Sequence, residues 1–281
     1  MASHGTTASS PTEELCNIVI MKVAAAQISC APGDGAANVK KVREFSERAK
    51  NSGAELIVFP EMTDTGYSMP AIQKHAAAWN EGAVPELQKI AKELSIAIVC
   101  GLGDRDGDKI YNAQVFVNQD GEVAAKYRKT HLVTAAPLDE RVCFTPGDEF
   151  VSCKAGDFKA GMSICYDLRF PEMCRTLAVK HKTNVILTSS AWPMVRIEHL
   201  RVFSLSRAIE NQSYLILANR VGVDDGVTFC GTSAIIDPAG AIMARASVDR
   251  EELLQAEISI DVVESVRARV PAFNHRRGDL Y

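Results

Sequence analysis

Apolar residues recur in short runs along this chain, each closed by Gly, Pro, Asn, Asp or a charged residue, and such runs predict buried strands. Eleven stand out: Lys22–Ser29, Glu55–Phe59, Ile96–Leu102, Asn112–Asn118, Glu122–Tyr127, Lys159–Ile164, Asn184–Thr188, Tyr214–Ala218, Thr232–Asp237, Ala241–Ala246 and Leu254–Ile258. Between several of them the period changes from two to 3.6. Val39, Val42, Phe45 and Ala49 share one face of a helix ending near Gly53, and Leu87, Ile90, Ala91 and Leu94 do the same after Pro85. Further helices are expected from Pro171 to about Lys182, where proline suits the first turn, and from Glu198 to about Asn211.

Two tight turns, Asn118-Gln119-Asp120-Gly121 and Asp237-Pro238-Ala239-Gly240, each join neighbouring strands into a hairpin. They fall at corresponding places in two halves that both read strand, helix, strand, helix, strand, hairpin. That repetition predicts an α/β fold with an internal pseudo-duplication, a four-layer α-β-β-α sandwich of two sheets with helices outside. One doubly wound sheet with the hairpins as edge additions is the alternative. The opening residues 1–20 begin small and polar, without Lys or Arg until Lys22, and read as a flexible leader before a single domain over 21–281.

With 281 residues the chain can bury an ample core, so its eight cysteines, which form no CxxC, need no disulfide framework. A reducing, cytoplasmic setting is therefore expected. The net charge of −4 contains no long block of either sign, which argues against a nucleic-acid or membrane partner and for a small molecule. The six histidines lack metal-ligand spacing, so no metal is expected. Gly101-Leu102-Gly103 with Gly107 is a poor phosphate loop, since its third glycine comes one position late and acidic Asp104 and Asp106 surround it; no cofactor is expected.

Three strand ends carry polar groups that a plain strand end does not need. Glu61 follows the apolar run Leu56–Phe59, and a carboxylate in an apolar mouth is raised toward working pH and suits a general base. Lys129 stands in Tyr127-Arg128-Lys129-Thr130-His131-Leu132 just after the first hairpin, where an ammonium can stabilise an oxyanion. Cys165 ends a strand and precedes the helix that starts at Pro171. A free cysteine is ordinarily an inert buried thiol, but at such an elbow it projects from a sheet edge, and the N–H of Tyr166 follows it as a candidate oxyanion donor. Cys165 paired with His131 is the alternative nucleophilic arrangement; His131 is read instead as a structural hydrogen-bonding residue.

These three stretches, Phe59-Pro60-Glu61, Tyr127-Arg128-Lys129-Thr130-His131-Leu132 and Cys165-Tyr166-Asp167-Leu168-Arg169-Phe170-Pro171-Glu172, resemble the motifs of the nitrilase superfamily, the carbon-nitrogen hydrolases, in their order and approximate spacing. The resemblance runs from about Lys22 to Tyr281. It implies Glu61 as general base and acid, Lys129 as oxyanion and orienting residue, and Cys165 as nucleophile. It implies Glu140 as a fourth residue that positions Lys129 or the substrate amide. Arg169 stands where relatives acting on carbamoyl amino acids bind a carboxylate, although their neighbouring arginine is Leu168 here; pairing of Arg169 with Asp167 or Glu172 is the competing reading. Ser190-Ala191-Trp192-Pro193, Arg207-Ala208-Ile209-Glu210-Asn211-Gln212 and Asn219-Arg220-Val221-Gly222 resemble the ω-amidase branch, which deaminates short α-keto acid amides, and Trp192 would wall the acyl pocket. Nitrilase and N-carbamoyl amidase activities remain alternatives, as does an inactive scaffold. The tail Asn274-His275-Arg276-Arg277-Gly278-Asp279 packs across a neighbouring subunit in the family, which implies a homodimer or larger homo-oligomer.

Overall fold

The apolar runs pair into two six-stranded sheets in a computed structural model that describes residues 19–136 and 138–280. All but the last two residues of the expected leader lie outside the described residues. The first half contributes β1 (Ile20–Gln27), α1 (Gly35–Asn51), β2 (Leu56–Val58), α2 (Met69–His75), α3 (Ala83–Leu94), β3 (Ala97–Asp106), β4 (Lys109–Val117) and β5 (Val123–Arg128). A short hairpin of β6 (Thr134–Ala135) and β7 (Leu138–Asp139) follows. The second half contributes β8 (Ser152–Ala155), β9 (Phe158–Ile164), α4 (Pro171–Val179), β10 (Val185–Ser190), α5 (Ile197–Asn211) and β11 (Tyr214–Asn219). It continues with β12 (Val221–Asp224), β13 (Val227–Cys230), β14 (Ala234–Ile236), β15 (Ile242–Arg245), β16 (Glu252–Ser259) and α6 (Ile260–Arg269).

The expected duplication is visible in the strand orders, β16-β1-β2-β3-β4-β5 and β8-β9-β10-β11-β14-β15. Each sheet has three central parallel strands with antiparallel strands on both sides. Alternation along β1 sorts the layers. Val23 and Ala25 join the core shared with the second sheet, whereas Ala24 and Ala26 join the core beneath α1 and α3. Two sheets with helices outside replace the single doubly wound sheet.

Local chemistry sets the helix ends. The Asp34 carboxylate accepts a hydrogen bond from the Ala37 N–H at 3.0 Å and starts α1. Burial of Phe45 on its inner face contributes about 2 kcal/mol. Helix α4 stops at Val179, short of the expected Lys182, because Lys182 takes φ +59° and turns the chain toward β10.

Candidate active site

The site forms at one edge of the sandwich, where strand ends from both sheets meet. From the first sheet, Glu61 follows β2, Lys129 directly follows β5, and Asn112 lies within β4. From the second, Cys165 directly follows β9, and Ala191 and Trp192 directly follow β10. Glu140 opens a single helical turn, Glu140–Val142, beyond β7.

Cys165 adopts φ +44°, a left-handed conformation that costs a non-glycine residue on the order of 1 kcal/mol or more. Asp167 holds this elbow. Its Oδ2 accepts from the Ile164 N–H at 2.9 Å and from the Tyr127 hydroxyl at 2.7 Å, and its Oδ1 pairs with His131 Nδ1 at 2.8 Å. His131 also stacks on Phe170 with ring centroids 3.8 Å apart. It therefore braces the turn through Asp167, as expected of a structural histidine. Met62, directly after Glu61, is left-handed as well, at φ +51°. The Glu61 loop lies so close to β3 that a Cβ on Gly101 would come within 2.5 Å of Glu61 Cα, which explains a glycine the phosphate-loop pattern could not.

Glu61, Lys129 and Glu140 form a fully buried charge cluster. Lys129 Nζ donates to Glu61 Oε1 and to Glu140 Oε1, each at 2.9 Å. The Asn112 amide bridges the same two carboxylates, at 2.6 Å from Glu61 Oε1 and 2.8 Å from Glu140 Oε1. Glu61 Oε2 accepts from the Ala191 N–H at 2.7 Å. Glu140 takes the Tyr67 hydroxyl on Oε1 and the Val133 N–H on Oε2, both at 2.7 Å. Every carboxylate oxygen is thereby occupied, as polar atoms buried in a dry site require.

Burial pushes the Glu61 carboxyl above its usual value, against the pull of Lys129 and with a further push from Glu140. Burial also opposes the Lys129 charge, but Glu140 and Glu61 more than offset it and hold the ammonium well above its ordinary value. Burial, then the Glu61 charge, drives the Cys165 thiol well above its ordinary value, while Lys129 and Ser190 pull it back. Burial and the Glu61 charge favour the thiol over the thiolate, so a nucleophilic role for this sulfur would need a base, and the Glu61 carboxyl stands in the neighbouring cluster.

Cys165 opens onto a cavity of about 220 Å³ lined by Val133, Leu138, Tyr166, Arg169, Trp192, Arg196 and His199 among others. The Arg169 guanidinium lies 5.0 Å from the Trp192 ring centroid and 5.5 Å from that of Tyr166, and its Nη2 lies 3.0 Å from His199 Nδ1. Asp167 is committed to Tyr127, His131 and Ile164, so the competing reading of an Arg169 pair with Asp167 gives way to the contact with His199. Trp192 is buried, donates from Nε1 to the Arg196 carbonyl at 2.8 Å, and lines the cavity. Among the described residues no group of three or more His, Cys, Asp or Glu side chains could hold a metal ion, and no helix is long and apolar enough to cross a membrane.

Sequence reasoning missed Asn112, Tyr67, Arg196 and His199. Asn112 carried a signal, since it and Gln114 are amides two apart in the apolar run Ile110–Val117 and so share one face of the strand. Arg196 and His199 stand three apart around the start of α5, a spacing that places two side chains together. Tyr67 lies in an irregular loop and carried none.

The sequence profile of the carbon-nitrogen hydrolases matches residues 22–268. The chain is similar to the 2-oxoglutaramate amidase of Bacillus subtilis, 34% identical over 260 residues that cover 91% of this chain and 97% of the relative. It is 32% identical to the omega-amidase NIT3 of Saccharomyces cerevisiae, over 93% and 94% of the two chains. The crystal structure of yeast Nit3 superimposes with a TM-score of 0.83 at 31% identity, covering 92% of this chain and 97% of that one. A mutant amidase from Nesterenkonia sp. AN1, 26% identical with a TM-score of 0.82 over 92% and 95% of the chains, carries the acetamide moiety of fluoroacetamide covalently on its active-site cysteine. With its twin six-stranded sheets and a profile match over nearly its whole length, the chain belongs to the carbon-nitrogen hydrolase family of the nitrilase superfamily.

Proposed function

We propose that this protein is a thiol amidase that releases ammonia from a short amide bearing a free carboxylate, the reaction type of an ω-amidase. The observation that carries this reading is the single small cavity that has Cys165, the aromatic walls Tyr166 and Trp192, and the basic side chains Arg169, Arg196 and His199 in its lining. Burial holds the Arg169 guanidinium below its ordinary value, and the nearby Arg196 charge adds to this; a bound carboxylate would act in the opposite direction. The two relatives named as acting on 2-oxoglutaramate or ω-amides support the same substrate class.

In this reading Glu61 takes the Cys165 proton as the sulfur attacks the amide carbon. The oxyanion that forms is held by Lys129 Nζ and the Tyr166 N–H. Glu61 returns the proton to the amide nitrogen, the C–N bond breaks, and ammonia leaves a thioester on Cys165. Glu61 then deprotonates a water that attacks the thioester. The C–S bond breaks, the acid departs, and the sulfur recovers its proton. Glu140 and Asn112 hold Lys129 and Glu61 in register throughout.

Arg169→Ala and Arg196→Ala are each expected to raise KM for a carboxylate-bearing amide by about 10- to 100-fold, the loss of one charge-assisted hydrogen bond. A neutral amide of equal length should be hydrolysed almost as before. Ammonia release measured on both substrates tests this, and equal losses on the two would remove the carboxylate from the proposal. Nitriles in the same panel test the nitrilase alternative.

The free thiols of all seven described cysteines suit a reducing cytoplasm. A homo-oligomer is supported by Val195, Val202 and Ile209, 77%, 57% and 50% exposed, which recur every seventh residue into and along α5 as a stripe that a second copy can cover. Light scattering should return at least twice the 30.5 kDa chain mass, and a monomer would refute this.

A further inference from the structure

The two halves are not perfect copies. In the first, β3 runs straight into β4; in the second, the hairpin β12–β13 is inserted between β11 and β14. This hairpin reaches across to the first half, where the Val221 N–H donates to the Ile28 carbonyl at 3.1 Å. With Arg220 just before it, the hairpin carries three buried side chains that converge on Tyr67.

Asp224 Oδ2 accepts from the Tyr67 N–H at 2.8 Å. The same carboxylate pairs with the Arg220 guanidinium, both side chains being almost completely buried. Arg220 Nη2 donates to the Cys30 carbonyl at 3.1 Å, and its guanidinium lies 4.6 Å from the Phe229 ring centroid. Phe229 in turn meets the Tyr67 ring edge-on at 5.7 Å. Tyr67 is thus held by its backbone and its ring from the hairpin side, while its hydroxyl donates to Glu140 Oε1, the oxygen that also receives Lys129 and Asn112.

We propose that Arg220, Asp224 and Phe229 are positioning residues that fix Tyr67, and through it the orientation of Glu140 and Lys129. The inserted hairpin is then part of the apparatus that aligns the reacting groups. A buried guanidinium facing one carboxylate makes the arrangement stiff, because loss of either charge leaves the other unpaired in a dry site. This inference rests on the amidase reading for its kinetics but not for its geometry.

The test couples Asp224→Asn with Tyr67→Phe, singly and together, in the full chain. Three quantities are read: kcat and KM for ammonia release, the rate of Cys165 alkylation by iodoacetamide, and Tm. Asp224→Asn is expected to lower kcat and the alkylation rate about tenfold with KM within about twofold, and to add less than about twofold in the Tyr67→Phe background, the signature of two residues acting through one another. Phe229→Leu should couple to Tyr67→Phe in the same way and serves if Asp224→Asn does not fold. Equal losses in both backgrounds, wild-type rates in Asp224→Asn, or a loss confined to KM would overturn the proposal. Should no amide release ammonia while the alkylation rates couple as stated, the positioning role stands and the amidase reading falls.

Discussion

Lys129→Met is expected to be the most damaging single substitution, removing turnover and several kcal/mol of stability together. The change leaves Glu61 and Glu140 buried, both pointed at Asn112, with no cation between them. Breaking a buried ion pair by deleting one partner costs about 3–5 kcal/mol, and here one cation serves two carboxylates. Turnover should fall by at least about 10³-fold, since the substitution also deletes the oxyanion donor of the proposed reaction. Combining it with Glu140→Gln separates the two effects. The double variant removes one of the two stranded charges and should regain much of the lost Tm, with no recovery of ammonia release. If the double variant recovers activity, Lys129 is a structural counter-ion and not a participant in the chemistry.

Cys165→Ala should separate the two effects, abolishing catalysis while leaving the fold intact. The side chain ends in a cavity and makes no ion pair, so its truncation is expected to cost about 1 kcal/mol or less. Loss of a nucleophile typically reduces turnover by about 10⁴- to 10⁶-fold. Ammonia release from an amide panel, with thermal unfolding alongside, measures both. A variant that kept more than a trace of hydrolysis would show the sulfur to be a bystander. Because binding should survive, the same variant can capture the substrate, and calorimetry across short amides would rank acyl groups without turnover.

Much of this architecture could be read from the chain because burial on both faces writes itself as unbroken apolar runs. All eleven expected strands are present, within a few residues of their expected ends. The strands that were missed are those for which burial is weak or the run is short. Ser152–Ala155 is an edge strand with one buried residue, so its pattern carries almost no contrast, although it completes the second sheet in the place β16 takes in the first. Helix α6 buries only Val263 and shows no clear stripe. At the site, Glu61 and Cys165 stood out because each follows an apolar strand, and Lys129 because it belongs to a basic pair directly after the first hairpin. Of their partners, Glu140 was reached only through the family resemblance and Tyr67 not at all, for a physical reason. Tyr67 comes from a loop whose place is fixed by tertiary contacts, and no local period encodes its hydrogen bond to Glu140 across 73 residues of chain.

The carboxylate of Glu61 is fastened to the opposite sheet as firmly as to its own. Its Oε2 is held by the Ala191 N–H, and the Ser189 hydroxyl, itself joined to Gln114, donates to the Phe59 carbonyl two residues before it. Glu61 and Cys165, base and nucleophile of the proposed reaction, are thus brought together only when the two halves are clamped in register. Neither half expressed alone can hold the reaction centre, and a slip of the sheets too small to unwind either one would silence it. In refolding, ammonia release should therefore reappear after the sheets have formed, as a clock for the moment they lock.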